Sequence, residues 1–347
     1  MSTVDLAAVF NDVADSECRG YSPLYERVCR SIASDEDLLA FVQSTPPPAH
    51  WPLVILGAVH FLLLGGIDHP LGAVYSGASK ADVEPLFRDF VLGHRDELAA
   101  VMEVRRTQTN EVGRSCFLVP AFEWVYRAHG LPLAWVDVGA SGGLNLQVDR
   151  FRVQVGDSAV GPLDGRPAIS CRATGDPPVG ESVAPIVWRA GLDKAPIDVG
   201  DEEEARWLQA CIWPDQLERA QRLRDAIVVA RAHPPRLVEG DAVDAIGALL
   251  EEAPLDAIAV VTTTWVIAYL ARERRRAFEE VLASVGRPVV WIIGEADGVA
   301  DGIEAGEPPV PQPRPSVLGA VTFDSGQATR KFLAWVQPHG EWLDWRA

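Results

Sequence analysis

Apolar residues recur at spacings of three and four through the first third of the chain, which is the period of an amphipathic helix. This spacing predicts helices over Val4–Ala14, Ser22–Ala33, Asp35–Gln43, Pro52–Leu64, Lys80–Leu92 and Arg95–Val112. No segment before Leu133 has the alternating or continuous apolar pattern of a β-strand. We therefore predict an α-helical N-terminal region that covers residues 1–130.

A different pattern begins at Leu133, where the apolar run Leu133–Val138 predicts a buried parallel strand. The turn Gly139-Ala-Ser-Gly-Gly143 follows, and a helix is predicted to begin at Leu144. Glycines let the backbone approach a bound group closely, and a helix N-terminus offers unpaired N–H donors. The pattern therefore predicts a ligand-binding turn at the end of this strand.

The rest of the chain alternates between strand-like runs and helical patterns. Strands are predicted over Asp149–Val155, Pro185–Asp193, Arg236–Asp241, Leu255–Thr262 and Arg287–Glu295, with a hairpin over Val317–Asp324 and Ala328–Gln337. Such alternation predicts an α/β fold with a Rossmann-like, mostly parallel sheet over residues 131–347. A terminal antiparallel hairpin is typical of class I methyltransferases. An insertion is expected near residues 156–184, and a proline-rich loop, a candidate lid, over residues 296–316.

The charge of the chain excludes some classes of partner. The 347 residues include 31 basic and 49 acidic ones, which gives a formal net charge of −18. Such a charge repels the phosphate backbone of nucleic acids and anionic membrane surfaces. The longest apolar run, Trp51–Gly66, is also shorter than a membrane span. We therefore predict no nucleic-acid partner and no membrane partner; no feature of the sequence determines the oligomeric state.

The cysteines bear on metal binding and on the cellular compartment. The five residues, Cys18, Cys29, Cys116, Cys171 and Cys211, are scattered and never form a C-x-x-C motif. This spacing argues against a zinc site and against a disulfide framework. Because the N-terminus also lacks the basic and apolar regions of a signal peptide, we expect a cytoplasmic protein without a metal.

The glycine turn fits two kinds of chemistry. In one, Asp137, Gly139, Ser141 and Gly143 follow the acidic-then-glycine pattern of S-adenosylmethionine (SAM) methyltransferases, with Ser141 in place of the middle glycine. In the other, Gly139-Ala-Ser141-Gly-Gly143 is a G-x-S-x-G nucleophile elbow, with His339 as the late histidine of a serine hydrolase. An α/β-hydrolase needs several strands before its elbow, so the helical first third favours the SAM interpretation. A non-catalytic ligand-binding protein on the same fold is a further alternative.

Acidic residues that end the later strands are candidates for the nucleoside part of the cofactor. In nucleotide-binding α/β sheets, the acid that ends the second strand binds the ribose hydroxyls. We assign this role to Asp193, with Asp157 as the alternative because it lies nearer the usual spacing. Asp241, after the next predicted strand, is the candidate acceptor for the amine of adenine.

The polar segment Arg105–Arg114 is the candidate substrate side of the site. At helical spacing Arg106, Asn110 and Arg114 would share one face. We predict that Asn110 and Glu111 are catalytic, with Glu111 as a proton acceptor. The predicted substrate-binding residues are Gln108, Arg114 and Trp265. The alternative for Glu111 is an ion pair with Arg105 or Arg114.

Several motifs together resemble a bacterial family known as domain of unknown function 2332. They are Arg106-x-Gln-Thr-Asn-Glu-Val-Gly-Arg114, Val138-Gly-Ala-Ser-Gly-Gly-Leu-Asn-Leu146 with Asp149-Arg-Phe151, Trp188-Arg-Ala-Gly-Leu-Asp193 and Trp213-Pro-Asp215. The resemblance covers nearly the whole chain and implies a methyltransferase-like fold behind a helical N-terminal region, without a substrate. One departure is Thr263-Thr264, where such relatives are expected to have a histidine followed by serine or threonine.

These observations lead to one leading functional prediction. The chain is expected to be a SAM-dependent methyltransferase that acts on a small molecule. Methyl transfer is an in-line displacement, so catalysis depends mainly on holding the reacting groups in position. A catalytic triad is therefore not required.

Overall fold

The computed structural model describes residues 5–45, 52–299, 301–309 and 315–347. The chain divides into two compact units, one formed by Met1–Thr109 with Gly200–Gln221 and the other by Asn110–Val199 with Arg222–Ala347. The first unit is helical in its described part, and the second contains the sheet. The division predicted at residue 130 stays a prediction.

The helical unit contains the helices that the apolar spacing predicts. In its described part they are α1 (Leu6–Val13), α2 (Pro23–Ala33), α3 (Glu36–Ser44), α4 (Pro52–Leu64), α5 (Pro70–Tyr75), α6 (Val83–Gly93), α7 (Arg95–Val104) and, later in the chain, α9 (Glu202–Ala210). A π-helical turn, Ala14–Cys18, continues α1. The sequence pattern missed α5, because His69-Pro70 resembles a helix break; instead, His69 caps the helix and Pro70 occupies its first turn.

The core of the helical unit is built from buried apolar faces of these helices, and α4 is apolar on all sides. The Trp213–Asp215 motif has a structural role in this unit. Asp215 accepts hydrogen bonds from the hydroxyl of Ser22, the N-cap of α2, at 2.7 Å and from the N–H of Leu24 at 3.2 Å. The Trp213 ring packs against Tyr25, with 5.5 Å between ring centroids. This motif therefore fixes the start of α2.

The predicted helix Arg95–Val112 ends early, at Val104, and residues 105–111 are irregular. The prediction that Arg106, Asn110 and Arg114 share a helical face is therefore wrong. Two sets of contacts with a segment about 100 residues later in the chain explain the early end. The carbonyl of Arg106 accepts a hydrogen bond from the indole of Trp207 at 2.8 Å, and Arg105 forms ion pairs with Glu203 and Glu204.

The strands of the second unit form one sheet of eleven within the described residues, in the order β3-β2-β4-β11-β10-β9-β8-β7-β1-β5-β6. Their bounds are β1 (Leu133–Val138), β2 (Arg152–Val155), β3 (Ser158–Val160), β4 (Ala168–Thr174), β5 (Ile186–Asp193), β6 (Leu237–Glu239), β7 (Ile258–Thr264), β8 (Val289–Ala296), β9 (Ser316–Asp324), β10 (Gln327–Val336) and β11 (Trp342–Trp345). The helices are α8 (Ser115–His129), α10 (Leu217–Ala232, of which residues 222–232 belong here), α11 (Ala242–Glu251) and α12 (Arg272–Ser284).

The parallel part of the sheet has Rossmann-like topology. Strand β1 pairs in parallel with β5 on one side and with β7 on the other, β5 pairs with β6, and β7 pairs with β8. After β6 the chain returns across β1, which makes the junction of β1 and β7 the topological switch point. Strands β8, β9 and β10 pair antiparallel in sequence. The predicted fold class is confirmed: a mixed α/β fold with a mostly parallel sheet, a C-terminal antiparallel hairpin and a helical N-terminal region.

The two predicted irregular segments have different outcomes. Residues 156–184 contribute β3 and β4, and β4 pairs in parallel with β11. The segment therefore extends the far edge of the sheet. In the loop 296–316, residues 300 and 310–314 lie outside the described residues, and the prediction of a lid stays a prediction. Ile303 of this loop packs closely over Gly319 of β9.

Helices cover the sheet through apolar contacts. On one face, buried side chains of α11 and α12 pack against β1, β7 and β8. On the other, Phe122 of α8 meets Trp135 of β1, with 4.8 Å between ring centroids. Gly130, with φ of 65°, ends α8 in the left-handed conformation that such a terminus favours. No helix in the described ranges combines the length and apolarity needed to cross a bilayer.

Candidate functional site

Polar residues concentrate at the carboxyl ends of the parallel strands. Asp137 lies next to the end of β1, Asp193 ends β5, Thr264 ends β7 and Glu295 lies next to the end of β8. In open α/β sheets, ligands bind outside the carboxyl ends of the strands at the switch point. This edge is therefore the candidate functional site.

The turn after β1 requires an unusual backbone. Gly139, Ser141 and Gly143 all have positive φ, at 75°, 53° and 67°. A Cβ atom on Gly139 would lie 2.2 Å from Cγ2 of Val266, and one on Gly143 would lie 2.7 Å from Cγ of Pro235. The two glycines are therefore required both by conformation and by close packing.

Asp193 is bound to this turn. One carboxylate oxygen accepts a hydrogen bond from the N–H of Ser141 at 2.7 Å, and the other accepts one from the N–H of Ala195 at 2.9 Å. The residue is partly exposed and ends the strand next to β1. Asp157, the alternative ribose acid, lies between β2 and β3 at the opposite edge of the sheet. Of the two candidates, only Asp193 ends the strand that neighbours β1.

Asp137 is buried and is part of a hydrogen-bond chain across β1 and β7. The indole of Trp135 donates to the hydroxyl of Thr262 at 2.8 Å, and this hydroxyl donates to the Asp137 carboxylate at 2.6 Å. Burial raises the pKa of Asp137 from 3.8 to about 7, although the Thr262 hydroxyl and the charge of Arg114 lower it. Near neutral pH the Asp137 carboxyl group is therefore protonated in part of the molecules and ionised in the rest.

Asp241, the predicted adenine acceptor, has two observed interactions. It caps α11 by accepting a hydrogen bond from the N–H of Val243 at 2.9 Å, and it pairs with Arg274. Although desolvation opposes it, the capping N–H groups and the Arg274 guanidinium lower the pKa of Asp241. Its role toward adenine stays a prediction.

Asn110 connects the polar segment to the turn. Its side-chain oxygen accepts a hydrogen bond from the N–H of Leu144 at 3.1 Å, at the start of the 3₁₀ helix Leu144–Arg150. This bond occupies one of the donors at that helix start. Next in the chain, Asn145 is buried, and its side-chain oxygen has no hydrogen-bond partner among the described residues. Asn145 was not among the predicted site residues, although it lies in the Gly-Gly-Leu-Asn motif.

Glu111 is buried and lies beside two partly exposed side chains, Arg222 and His339. One carboxylate oxygen accepts a hydrogen bond from the N–H of Gly113 at 2.9 Å and lies 3.8 Å from the Arg222 guanidinium. The other oxygen lies 3.4 Å from Nδ1 of His339. The sequence identified Arg105 or Arg114 as the alternative partner of Glu111, whereas Arg222 and His339 are distant in the chain.

Arg114 is buried beside the end of β7. Its guanidinium donates to the carbonyl of Thr264 at 2.7 Å and to that residue's hydroxyl at 3.2 Å. It also donates to the carbonyl of Pro338 at 3.3 Å, in the loop that contains His339. Arg114 therefore joins the segment before α8 to the carboxyl edge of the sheet.

The remaining predicted substrate residues lie in different places. Trp265 follows β7, has a positive φ of 58° and donates from its indole to the Ser316 hydroxyl at 3.1 Å. Gln108 belongs to the helical unit. Their roles in binding a substrate stay predictions. Within the described ranges, no group of three or more His, Cys, Asp and Glu side chains could hold a metal ion.

The sequence interpretation missed Glu295. This residue is fully buried, and one carboxylate oxygen accepts hydrogen bonds from the N–H groups of Val266 and Ile267, both at 2.8 Å. The other oxygen has no hydrogen-bond partner among the described residues. Burial raises the pKa of Glu295. The sequence signal that could have identified Glu295 is an acid at the end of a continuous apolar strand. Through its two hydrogen bonds, Glu295 holds the loop after β7, whose Val266 packs against Gly139.

Replacing Glu295 with methionine is expected to lower the free energy of unfolding by about 2 kcal/mol, because two buried N–H groups lose their acceptor. Glu295→Gln is the matched control, since its amide oxygen can accept the same bonds. Urea unfolding of both variants measures the difference. Equal stabilities of the two variants would show that these bonds do not hold the loop.

Comparison with known families gives a match over nearly the whole chain. The model of a family described as "Uncharacterized protein conserved in bacteria (DUF2332)" matches residues 7–345. No curated protein matches the chain. The description of the family names no activity, so it does not bear on the methyltransferase-like interpretation of the core.

Proposed function

The chain belongs to this family of uncharacterised bacterial proteins, and from the chemistry of its site we propose that it is a SAM-dependent methyltransferase that acts on a small molecule. The observation that carries the proposal is the bond between Asp193 and the turn after β1. An acid at the end of the neighbouring strand, next to a turn of positive φ, is the arrangement that recognises a nucleoside in Rossmann-like sheets.

The residues at this edge fit a nucleoside chemically. A carboxylate can accept about four hydrogen bonds, and the Asp193 carboxylate accepts one from each of two backbone N–H groups. Asp193 is also partly exposed. It therefore retains acceptor positions for ribose hydroxyls. The Asp241 carboxylate, after the next strand, is the corresponding candidate for the amine of adenine.

The bound cofactor would supply a methyl group on a positively charged sulfur. The chain would contribute mainly position: the backbone of residues 139–143 and Asp193 would hold the nucleoside end. Glu111 would accept the proton that a hydroxyl or amine substrate loses. His339, 3.4 Å from the other oxygen of Glu111, is placed to orient that carboxylate.

The substrate class follows from charge. A formal charge of −18 disfavours polyanionic substrates. The guanidinium groups of buried Arg114 and partly exposed Arg222 lie at the Glu111 side of the site, where a small polar molecule could interact with them. We therefore propose a small, polar methyl acceptor rather than a nucleic acid.

The proposal predicts how three variants bind S-adenosylhomocysteine, the demethylated product. Asp193→Ala should weaken binding by roughly tenfold or more, because hydrogen bonds to a charged group contribute about 1.5 to 3 kcal/mol. Asp157→Ala is the matched control at the other edge of the sheet and should bind like the wild type. Ser141→Gly should also bind, since glycine suits a positive φ.

Equilibrium dialysis of the product measures all three affinities. Equal loss in the Asp157 and Asp193 variants would contradict the assigned ribose acid. Esterase activity that disappears in Ser141→Gly would instead support the hydrolase alternative. Binding of the cofactor without turnover of any acceptor would support a non-catalytic binding protein.

A further inference from the structure

A pair of thiols lies away from the candidate site, and one of the two lines an open cavity. Cys171 belongs to β4 and Cys116 to the first turn of α8, and their side chains hydrogen-bond to each other. The cavity has a volume of about 730 Å³, and Cys171 is among its lining residues. Five strands separate β4 from β1 in the sheet. The proposed methyltransferase chemistry uses neither cysteine.

The two thiols differ in access. Cys171 retains 9% of its accessible surface and lines the cavity, whereas Cys116 retains 1% and lies behind it. Cys116 is also 3.9 Å from the carbonyl of Gln154, to which its thiol can donate. A reagent that enters the cavity therefore meets the Cys171 sulfur first.

The two thiols also differ in acidity. The interaction with the Cys116 thiol lowers the pKa of Cys171 despite the opposing effect of burial. The same interaction, together with burial, raises the pKa of Cys116. The thiolate is the nucleophilic form of cysteine. Because Cys171 also lines the cavity while Cys116 is fully buried, Cys171 is the attacking thiol of the pair.

We propose that Cys171 and Cys116 form a dithiol site that exchanges with small disulfides, with Cys171 attacking and Cys116 resolving. The Cys171 thiolate forms a bond to one sulfur of the reagent, and the reagent's S–S bond breaks to release its other half as a thiolate. Cys116 then attacks the Cys171 sulfur and forms the internal disulfide. Its proton passes to the second thiolate released. The protein dithiol is oxidised and the small disulfide is reduced.

The cavity wall indicates which disulfides are accepted. Its charged side chains are those of Asp157, Asp176, Glu341 and Arg172, three acids and one base. A cationic disulfide is therefore attracted to the cavity, and an anionic one is repelled. The proposed reagent class is a small disulfide with amino groups, for which cystamine is a suitable probe.

The chain contains a matched control pair. Cys18 and Cys29, in the helical unit, also hydrogen-bond to each other, but both are fully buried. Hydrogen bonding to Cys29 and burial raise the pKa of Cys18. If proximity of two thiols were sufficient for exchange, this pair would react as readily as Cys116 and Cys171. If access through the cavity determines whether a thiol pair reacts, Cys18 and Cys29 will stay reduced.

The test treats the folded full-length protein with cystamine and follows intact mass and peptide maps. In the wild type, a disulfide between Cys116 and Cys171 should form, both halves of cystamine should be released and no adduct should remain. Cys116→Ser should retain a cysteamine adduct on Cys171, and Cys171→Ser should lose the reaction. A dianionic disulfide, dithiodiglycolate, should react more slowly than cystamine.

Two results would overturn the proposal. One is an adduct that persists on wild-type Cys171, because it would show that Cys116 does not resolve. The other is modification of Cys171 no faster than that of Cys18 and Cys29. If a serine variant fails to fold, the rates of iodoacetamide alkylation of the wild-type cysteines test the access of Cys171, which should be alkylated ahead of Cys18 and Cys29.

Discussion

The effect of Asp137→Asn on the free energy of unfolding is expected to depend on pH. At pH 8 the substitution should be about 4 kcal/mol more stabilising than at pH 3.5. The native pKa of about 7, in place of 3.8, corresponds to this energy at about 1.4 kcal/mol for each pKa unit. The carboxyl group is 2% exposed, so solvent screens the effect little. Asparagine keeps an oxygen that can accept from the Thr262 hydroxyl and has no charge to bury.

The sign follows from proton binding. The native state holds the Asp137 proton more tightly than the unfolded state, because burial disfavours the charged form. The stability from this group is therefore fully present below pH 3.8 and is lost as the pH rises to about 7. Above that value the loss is complete. The asparagine variant cannot ionise, so the difference between the two proteins follows this curve.

Urea unfolding of the wild type and Asp137→Asn across this pH range measures the difference. Thr262→Val is the second variant, since removing a hydroxyl that lowers the pKa of Asp137 should raise that pKa further. It should therefore destabilise the protein more at pH 8 than at pH 3.5. A stability difference between wild type and Asp137→Asn that does not change with pH would contradict the buried, protonated carboxyl group.

Gly139→Ala is expected to lower the free energy of unfolding by about 3 kcal/mol, from about 1 kcal/mol of left-handed strain and about 2 kcal/mol of overpacking. The new Cβ atom would lie 2.2 Å from Cγ2 of Val266, and φ of Gly139 is 75°. Neither contribution can relax without moving the turn or the loop that Glu295 holds.

Gly130→Ala is the matched control for this substitution. Gly130 has φ of 65°, and no atom lies within 4 Å of the Cβ position, so it reports strain alone. In the background Val266→Ala, Gly139→Ala should lose most of the overpacking cost and keep the strain. Chemical denaturation of the wild type, Gly139→Ala, Val266→Ala and the double variant gives the coupling energy between positions 139 and 266. Equal costs at positions 130 and 139 would show that the turn is not packed as described.

Local patterns account for what the sequence predicted correctly. Apolar spacing depends only on neighbours in the chain, so it found most helices of the first unit and the strands β1, β2, β5, β6, β7, β8, β9 and β10. The end of β5 at Asp193 was visible for the same reason. The bond from Ser141 to that residue agrees with the role assigned to Asp193, although the role itself stays a prediction.

What the sequence could not predict depends on contacts between distant residues. The segment 105–111 has helical spacing but is irregular, because Trp207 takes the carbonyl of Arg106. Glu111 meets Arg222 and His339, which are far from it in the chain. Glu295 resembles an ordinary strand end until its bonds to the loop after β7 are seen. The pairing of β4 with β11 likewise joins segments that are far apart in the chain.

The central claim is that the carboxyl edge of β1 and β5 binds SAM. Isothermal titration of the wild-type protein with SAM and with S-adenosylhomocysteine tests it most directly. We expect one saturable site for each compound, with a Kd between about 1 µM and 1 mM, the usual range of Michaelis constants for enzyme substrates. No heat of binding and no rise in Tm with either compound at about 1 mM would contradict the claim.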